Sequence, residues 1–263
     1  MMLDPLQYGL GAGAGVLVGF TLGLVGGGGS ILAVPLMVYL VGVRNPHIAI
    51  GTSAFAVAIN AAAGLLSHAR AGTVKWRCGG MYAAAGIVGA FAGSSLGKLV
   101  AGEKLLLLFA LLMLVVGVLM LRGRGNPGEP GAECNRQKAP KVLGFGLGTG
   151  AFFRLFFGIG GGFLIVPGLI GSTGMPILNA VGTSLVAVTA FGLTTAFNYA
   201  LSGLVNWPLA FTFIAGGALG SVAGMRLARR LAGRTGRLTT VFATLIFVVA
   251  SYMLFKSASA LLA

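Results

Sequence analysis

A chain of 263 residues that is 57% hydrophobic and 8% charged, with a mean hydropathy of +0.97, lies far from the composition of a water-soluble domain and reads as an integral membrane protein. Its 18 lysines and arginines against 4 carboxylates give a net charge of +14, which basic cytoplasmic loops and contact with acidic membrane lipid explain without a nucleic acid partner. Two cysteines, two histidines and four peripheral carboxylates furnish no nucleophile with a base, no metal set and no acid pair, so neither an enzyme nor a cofactor is expected.

An apolar helix of about 20 residues crosses a bilayer, and such stretches occupy 6–25, 47–68, 78–97, 104–121, 142–158, 177–200, 208–228 and 238–258. Two shorter apolar runs lie at 30–42 and 162–171. The alternation that marks transmembrane strands does not occur, so the expected fold is an all-α polytopic bundle. The first stretch has no basic leader and carries Asp4, which argues for a permanent span over a cleaved signal.

That stretch runs into "LVGGGGSILAVP" at 24–35. Each glycine costs about 1 kcal/mol relative to alanine inside a helix, so Gly26, Gly27, Gly28 and Gly29 predict a break ahead of Ser30. The run 30–42 then makes a helix about 20 Å long, too short to cross alone. Broken backbone at membrane depth is tolerated where it is buried in protein or lines a wet cavity. A helix starting after the break points free N–H groups and its positive dipole end into that cavity, which suits an anion. The plain alternative is that glycines let helices pack closely. Close packing is the expected role of "GAGAG" at 11–15 and of the Gly86 and Gly217 series, whereas the proline in the longer phrase favours the break. "GLVGGGGS" lacks the lysine of a P-loop and follows no strand, which sets nucleotide binding aside.

The next span opens with Asn45, His47 and the triplet Gly51, Thr52, Ser53. Its hydroxyls are suited to an oxyanion, and equally to the carbonyls of their own helical turn. Asn60 is an amide candidate, as are Asn179 and Asn198, with packing hydrogen bonds the plainer account. His47 and His68 sit near span ends, where placement at the membrane interface is expected. Cys78 opens a predicted helix and Cys134 lies in the polar stretch 122–141; no C-x-x-C or histidine cluster accompanies them, so neither a disulfide framework nor a metal site is indicated.

Beyond that stretch comes Arg154, inside an apolar run, where an arginine costs about 3 kcal/mol on insertion scales. It either neutralises a bound anion, snorkels to the interface or ties two helices together. "FGIGGGFLIVP" at 157–167 then repeats the earlier glycine phrase with Gly158, Gly160, Gly161 and Gly162, and Gly182, Thr183, Ser184 repeat the triplet. All four carboxylates fall at the terminus, in a loop or in 122–141. An inventory without intramembrane carboxylates suits an anion carrier and not a cation transporter or a carboxylate-based proton pump.

The duplication is general. At an offset of 131, residues 49–96 align without gaps on 180–227 with 16 of 48 pairs identical, including Trp76 with Trp207 and Gly72 with Gly203. Basic residues flip between the copies: "SHARAGTVKWR" has three, its counterpart "NYALSGLVNW" none, and the loop after the next helix reverses the bias. Two inverted repeats of about five helical elements each, 1–121 and 142–263, joined by a cytoplasmic linker 122–141, place 13 of the 18 lysines and arginines inside and both termini outside. Inverted repeats with interrupted helices at matching positions mark secondary transporters that bind substrate near the midplane. A passive anion channel with the same site is the alternative; a scaffold without transport calls for no mirrored broken helices.

The glycine-rich phrase ending in proline, then A-x-G-T-S, then a tryptophan after a short loop, all occurring twice, resembles the TauE/SafE family of sulfite exporters, also called TSUP. The resemblance covers nearly the whole chain apart from the linker. It implies a permease of the bacterial or archaeal inner membrane that moves a small sulfur-containing anion such as sulfite, thiosulfate, sulfoacetate or a related organosulfonate, without ATP hydrolysis. A proton or a sodium ion is the candidate coupling partner. By the same resemblance Gly26 to Ser30, Gly158 to Gly162, Thr52, Ser53, Thr183 and Ser184 surround the substrate path.

Overall fold

The computed structural model describes residues 4–97, 110–122 apart from 112, 116 and 120, the positions 129, 131, 134 and 138, then 139–156, 162–232 and 237–262. These residues are helical or lie in turns, and the long helices are α1 (Pro5–Val25), α2 (Pro46–Arg70), α3 (Trp76–Gly97), α4 (Ala139–Phe156), α5 (Gly162–Thr173), α6 (Ile177–Leu201), α7 (Trp207–Ala232) and α8 (Arg237–Leu262). Residues 110–122 are helical where described; the start of the span expected at 104–121 lies outside the described residues. Among the described residues four helices, α1, α2, α6 and α7, are long and apolar enough to cross a membrane.

Glycine sets the closest packing. On α1, a Cβ at Gly15, Gly19 or Gly23 would collide with the carbonyl oxygens of Phe213, Gly217 and Ser221 on α7; one at Gly216, Gly220 or Gly224 would collide with those of Ala12, Val16 and Phe20. Contacts advance together along both chains, so α1 and α7 are parallel, in backbone contact over several turns. Gly13 of the same "GAGAG" motif has open space around it. Helices α3 and α4 also run parallel: a Cβ at Gly146 would lie 3.0 Å from the Ala85 Cβ and 3.2 Å from the Tyr82 carbonyl, while Cys134, just before α4, meets Cys78 at the start of α3.

At the centre α2 and α6 cross antiparallel. Gly51 faces Tyr199, Gly192 faces Ala58, Gly64 faces Leu185 and Gly182 faces His68. Positions 131 or 132 residues apart adopt matching backbone: Gly72 and Gly203 both have φ of 68°, and Gly42 and Gly174 have φ of 78° and 74°. Such angles favour glycine, and each residue turns the chain out of a helix.

Cys78 and Cys134 are not the lone thiols the sequence suggests. Both are buried and joined in a disulfide, with Cα atoms 5.5 Å apart and 56 residues between them in sequence. No local spacing signals such a pair, because packing of α4 on α3 is what brings Cys134 to the start of α3. His68 likewise departs from the expected interface position. It is buried, with Nδ1 2.9 Å from the Thr73 hydroxyl.

Candidate anion site between the glycine segment and two crossing helices

The site begins where α1 ends. Gly26, with φ 66° and ψ −137°, stops the helix, and its own N–H returns to the Leu22 carbonyl. The α-helix breaks at the glycines, as helix propensity predicts, and the chain winds on in another form. Gly26–Leu32 wind into a 3-10 helix, followed by an α turn at Ala33–Pro35 and a π turn at Leu36–Leu40. Glycine without a Cβ tolerates the tighter 3-10 winding against a neighbour: a side chain at Gly29 would run into the backbone of Thr21 and Leu22. Pro35 lacks an N–H for the α ladder, and the pattern widens to π directly after it.

This winding lets a short run travel far. A 3-10 helix rises about 2.0 Å per residue against 1.5 Å for an α-helix. The segment returns along α1 to the level of its first turn, where Gln7 Nε2 donates to the Val41 carbonyl at 3.1 Å. Gln7 Oε1 also accepts from the Asp4 N–H at 3.1 Å, so one side chain holds both ends of the hairpin.

The glycine phrase of the first half meets the triplet of the second. The Gly27 N–H donates to Ser184 Oγ at 3.0 Å, and the Ser184 hydroxyl donates in turn to the Val181 carbonyl at 2.7 Å. Ser184 thus caps the segment in the manner of an N-cap residue, from another helix. Ser30 Oγ donates back to the Gly27 carbonyl at 2.7 Å, and Ser53 Oγ to the Ile50 carbonyl at 3.1 Å. A side chain at Gly26 would lie 2.6 Å from the Val181 carbonyl and 2.8 Å from Ser184 Oγ.

Thr52 and Thr183 face elsewhere. Thr52 Oγ1 accepts from the Asn206 N–H and Thr183 Oγ1 from the Lys75 N–H, each at 2.9 Å, so both hydroxyls tether loops. Asn45 caps α2 through the His47 N–H at 2.9 Å and Asn179 Nδ2 donates to the Thr73 carbonyl at 3.2 Å, both of them packing bonds.

Between the segment and the crossing helices lies a cavity lined by Ser30 and Ala33, by Ser53, Ala54 and Val57 of α2, and by Val188 and Gly192 of α6. Its free volume of about 10 Å³, measured at the water centre, admits about one water. Val57 and Val188 are separated by 131 residues, the repeat offset, and face the same space. The sequence reading passed over both valines because they look like ordinary core; the signal was their place one helical turn beyond Ser53 and Ser184 combined with the offset.

One turn beyond the cavity on α2, Asn60 Nδ2 is buried with no hydrogen-bond partner among the described residues, in the space that Gly217 leaves open. One turn beyond Gly192 on α6, Thr195 Oγ1 is likewise buried with none among the described residues, a residue the sequence did not single out. Arg154 belongs to α4, with its side chain outside the described residues. Gly158, Gly160 and Gly161 also lie outside them, and Gly162 opens α5, which carries Pro167 in its interior.

Comparison with known proteins adds to this geometry. The model of the family described as "Sulfite exporter TauE/SafE" matches residues 11–253. A protein of Xylella fastidiosa (strain Temecula1) named "Probable membrane transporter protein" is 53% identical over 254 residues, covering 95% of this chain and 96% of its own. The Bacillus subtilis (strain 168) "Probable membrane transporter protein YunE" is 26% identical over 244 residues, covering 84% and 88%. No solved structure matches. With its glycine segment, crossed central helices and nearly full-length match, the chain belongs to the sulfite exporter TauE/SafE family.

Proposed function

We propose that this protein is a secondary transporter of the bacterial inner membrane that carries a small sulfur-containing oxyanion between two inverted repeats, 1–121 and 142–263. The observation that carries the reading is the cavity shared by Val57 and Val188, equivalent residues of the two halves. A cavity flanked by equivalent residues is what a pseudo-two-fold axis in the membrane plane demands at its centre. Three helix pairs support the same symmetry. Such an axis makes α2 and α6 antiparallel and exchanges the parallel pair α1 and α7 with the parallel pair α4 and α3.

In this reading Ser30 and Ser53 turn their hydroxyls from nearby carbonyls to the anion, alongside the backbone of Gly26 to Gly29 and, from the second half, Gly158 to Gly162. Ser184 holds the first segment in place. Thr52 and Thr183 keep the loops in register around the path. Arg154 supplies the counter-charge that the lining residues lack. A cavity with room for one water favours a transporter that must move to admit its cargo over a standing pore. The exchange consists of opening the glycine segments from α2 and α6, first toward one side and then the other.

Flux into liposomes of purified protein tests the reading with radiolabelled sulfite and thiosulfate under an imposed proton or sodium gradient. Saturable uptake against the anion's own gradient supports it. Flux that rises linearly with concentration and ignores the gradients replaces the carrier by a channel.

A further inference from the structure

Away from the central cavity, a cleft of about 250 Å³ opens where the ends of α2 and α7 meet, lined by Ser67 and Arg70 of α2 and by Val222, Met225, Arg226 and Arg229 of α7. Three guanidinium groups therefore border one concavity. Among the described residues none of the three has a carboxylate within ion-pair distance. Arg229 Nη2 donates to the Met225 sulfur at 3.8 Å. Each guanidinium offers five N–H donors in a planar fork suited to the oxygens of a phosphate.

Val222 and Met225 are the apolar members of the cleft's lining, and exposed leucines lie beyond it on both helices. On α7, Leu219, Val222 and Arg226 follow at spacings of three and four, so they share a face, and Leu219 is 75% and Val222 47% exposed. On α2, Leu66 lies one turn before Arg70 and is 55% exposed. Both helices thus present aliphatic side chains toward their middle and arginine at their end. A dissolved inorganic anion has no use for that apolar approach, whereas an amphiphile with a charged head matches it in order and polarity.

We propose that this cleft binds an anionic phospholipid, its headgroup phosphate held by Arg70, Arg226 and Arg229 and an acyl chain lying along Leu66, Val222 and Leu219. The site rests on membrane residence alone and is independent of the transported cargo.

Full-length protein in a neutral detergent is titrated with dioctanoyl phosphatidylglycerol, dioctanoyl phosphatidylcholine or inorganic phosphate at constant ionic strength while thermal unfolding is followed. A ligand of the folded state raises its apparent melting temperature. Phosphatidylglycerol is expected to raise it by about 3 °C or more, with less than about a third of that from the other two. The R70Q/R226Q/R229Q variant is expected to lose the preference while its lipid-free melting temperature stays put, and the corresponding triple lysine variant to keep part of it. Arg226→Gln alone serves should the triple variant not purify. Equal shifts with phosphatidylcholine overturn the headgroup assignment, an equal shift with inorganic phosphate makes this a free-anion site, and a preference that survives the glutamine variants places the lipid elsewhere.

Discussion

The Asn206 backbone N–H donates to Thr52 Oγ1 at 2.9 Å, holding the loop after α6 against the start of α2. Moved by 131 positions, the same bond joins the Lys75 N–H to Thr183 Oγ1 at the same 2.9 Å. Each half lends a threonine to the loop of the other. Both threonines are buried, so removing one acceptor strands an N–H away from water. Thr52→Val and Thr183→Val, close in shape, are each expected to cost about 1–3 kcal/mol, read as a fall in melting temperature, while Thr→Ser at either place restores most of it. Unchanged unfolding of both valine variants removes the tether from the account.

The α1–α7 contact separates two uses of glycine along a single helix. At Gly19 a side chain collides with the Gly217 carbonyl, whereas at Gly13 there is nothing within 4 Å. Gly19→Val is therefore expected to prevent accumulation of folded protein, and Gly13→Val to leave it unaffected, when the two are compared by size-exclusion profile after detergent extraction. A Gly19→Val protein that elutes and unfolds like the parent contradicts the parallel backbone contact.

What the sequence made legible and what it hid divide along a physical line. Among the described residues hydropathy located the helices to within a few residues, because a long apolar run is what sets their bounds. The offset of 131 paired Thr52 with Thr183 and Gly72 with Gly203, because the fold uses equivalent positions in equivalent ways. Hidden were the features decided by tertiary approach. Propensity placed the break of the α-helix at the glycines, but not the 3-10 turn into which packing on Thr21 and Leu22 winds them. The threonine hydroxyls, suited by sequence equally to an anion and to their own helical turn, accept from loop N–H groups. The Cys78–Cys134 pairing depends on the packing of α4 on α3, which no local pattern encodes.

Ser30 and Ser53 are the hydroxyls at the central cavity, and each now donates to a carbonyl of its own segment. A hydrogen bond to a charged ligand contributes about 1.5–3 kcal/mol. Ser30→Ala and Ser53→Ala are thus each expected to raise the apparent KM for the transported anion by about tenfold or more, with little change in melting temperature. Arg154→Gln is expected to act in the same direction and more strongly, since it removes a full charge. Liposome flux measured as a function of anion concentration checks all three, and a KM unmoved by the serine changes relocates the site away from the 3-10 segment.

The Cys78–Cys134 bond tests the orientation of the whole molecule. Two arguments about it point opposite ways. Counting lysines and arginines puts the segment 122–141 in the cytoplasm together with the start of α3, whereas disulfides persist outside the cytosol and are rare within it. Charge bias is summed over many residues and acts during insertion, while a single pair of adjacent cysteines is reduced or oxidised according to the compartment it occupies. We therefore expect the topology that the charges favour, and the bond reports the surroundings. Quenching cells in acid, denaturing them and alkylating without reductant is expected to label both cysteines, with the disulfide forming only after the membranes are isolated in air. Once formed it closes a 56-residue separation and is expected to add up to about 4 kcal/mol of stability in the chain-entropy picture, lost in Cys134→Ser. Recovery of the bond from quenched cells reverses the assignment. It places the linker on the outer face, with 13 of the 18 basic residues beside it, and turns the three-arginine cleft outward as well.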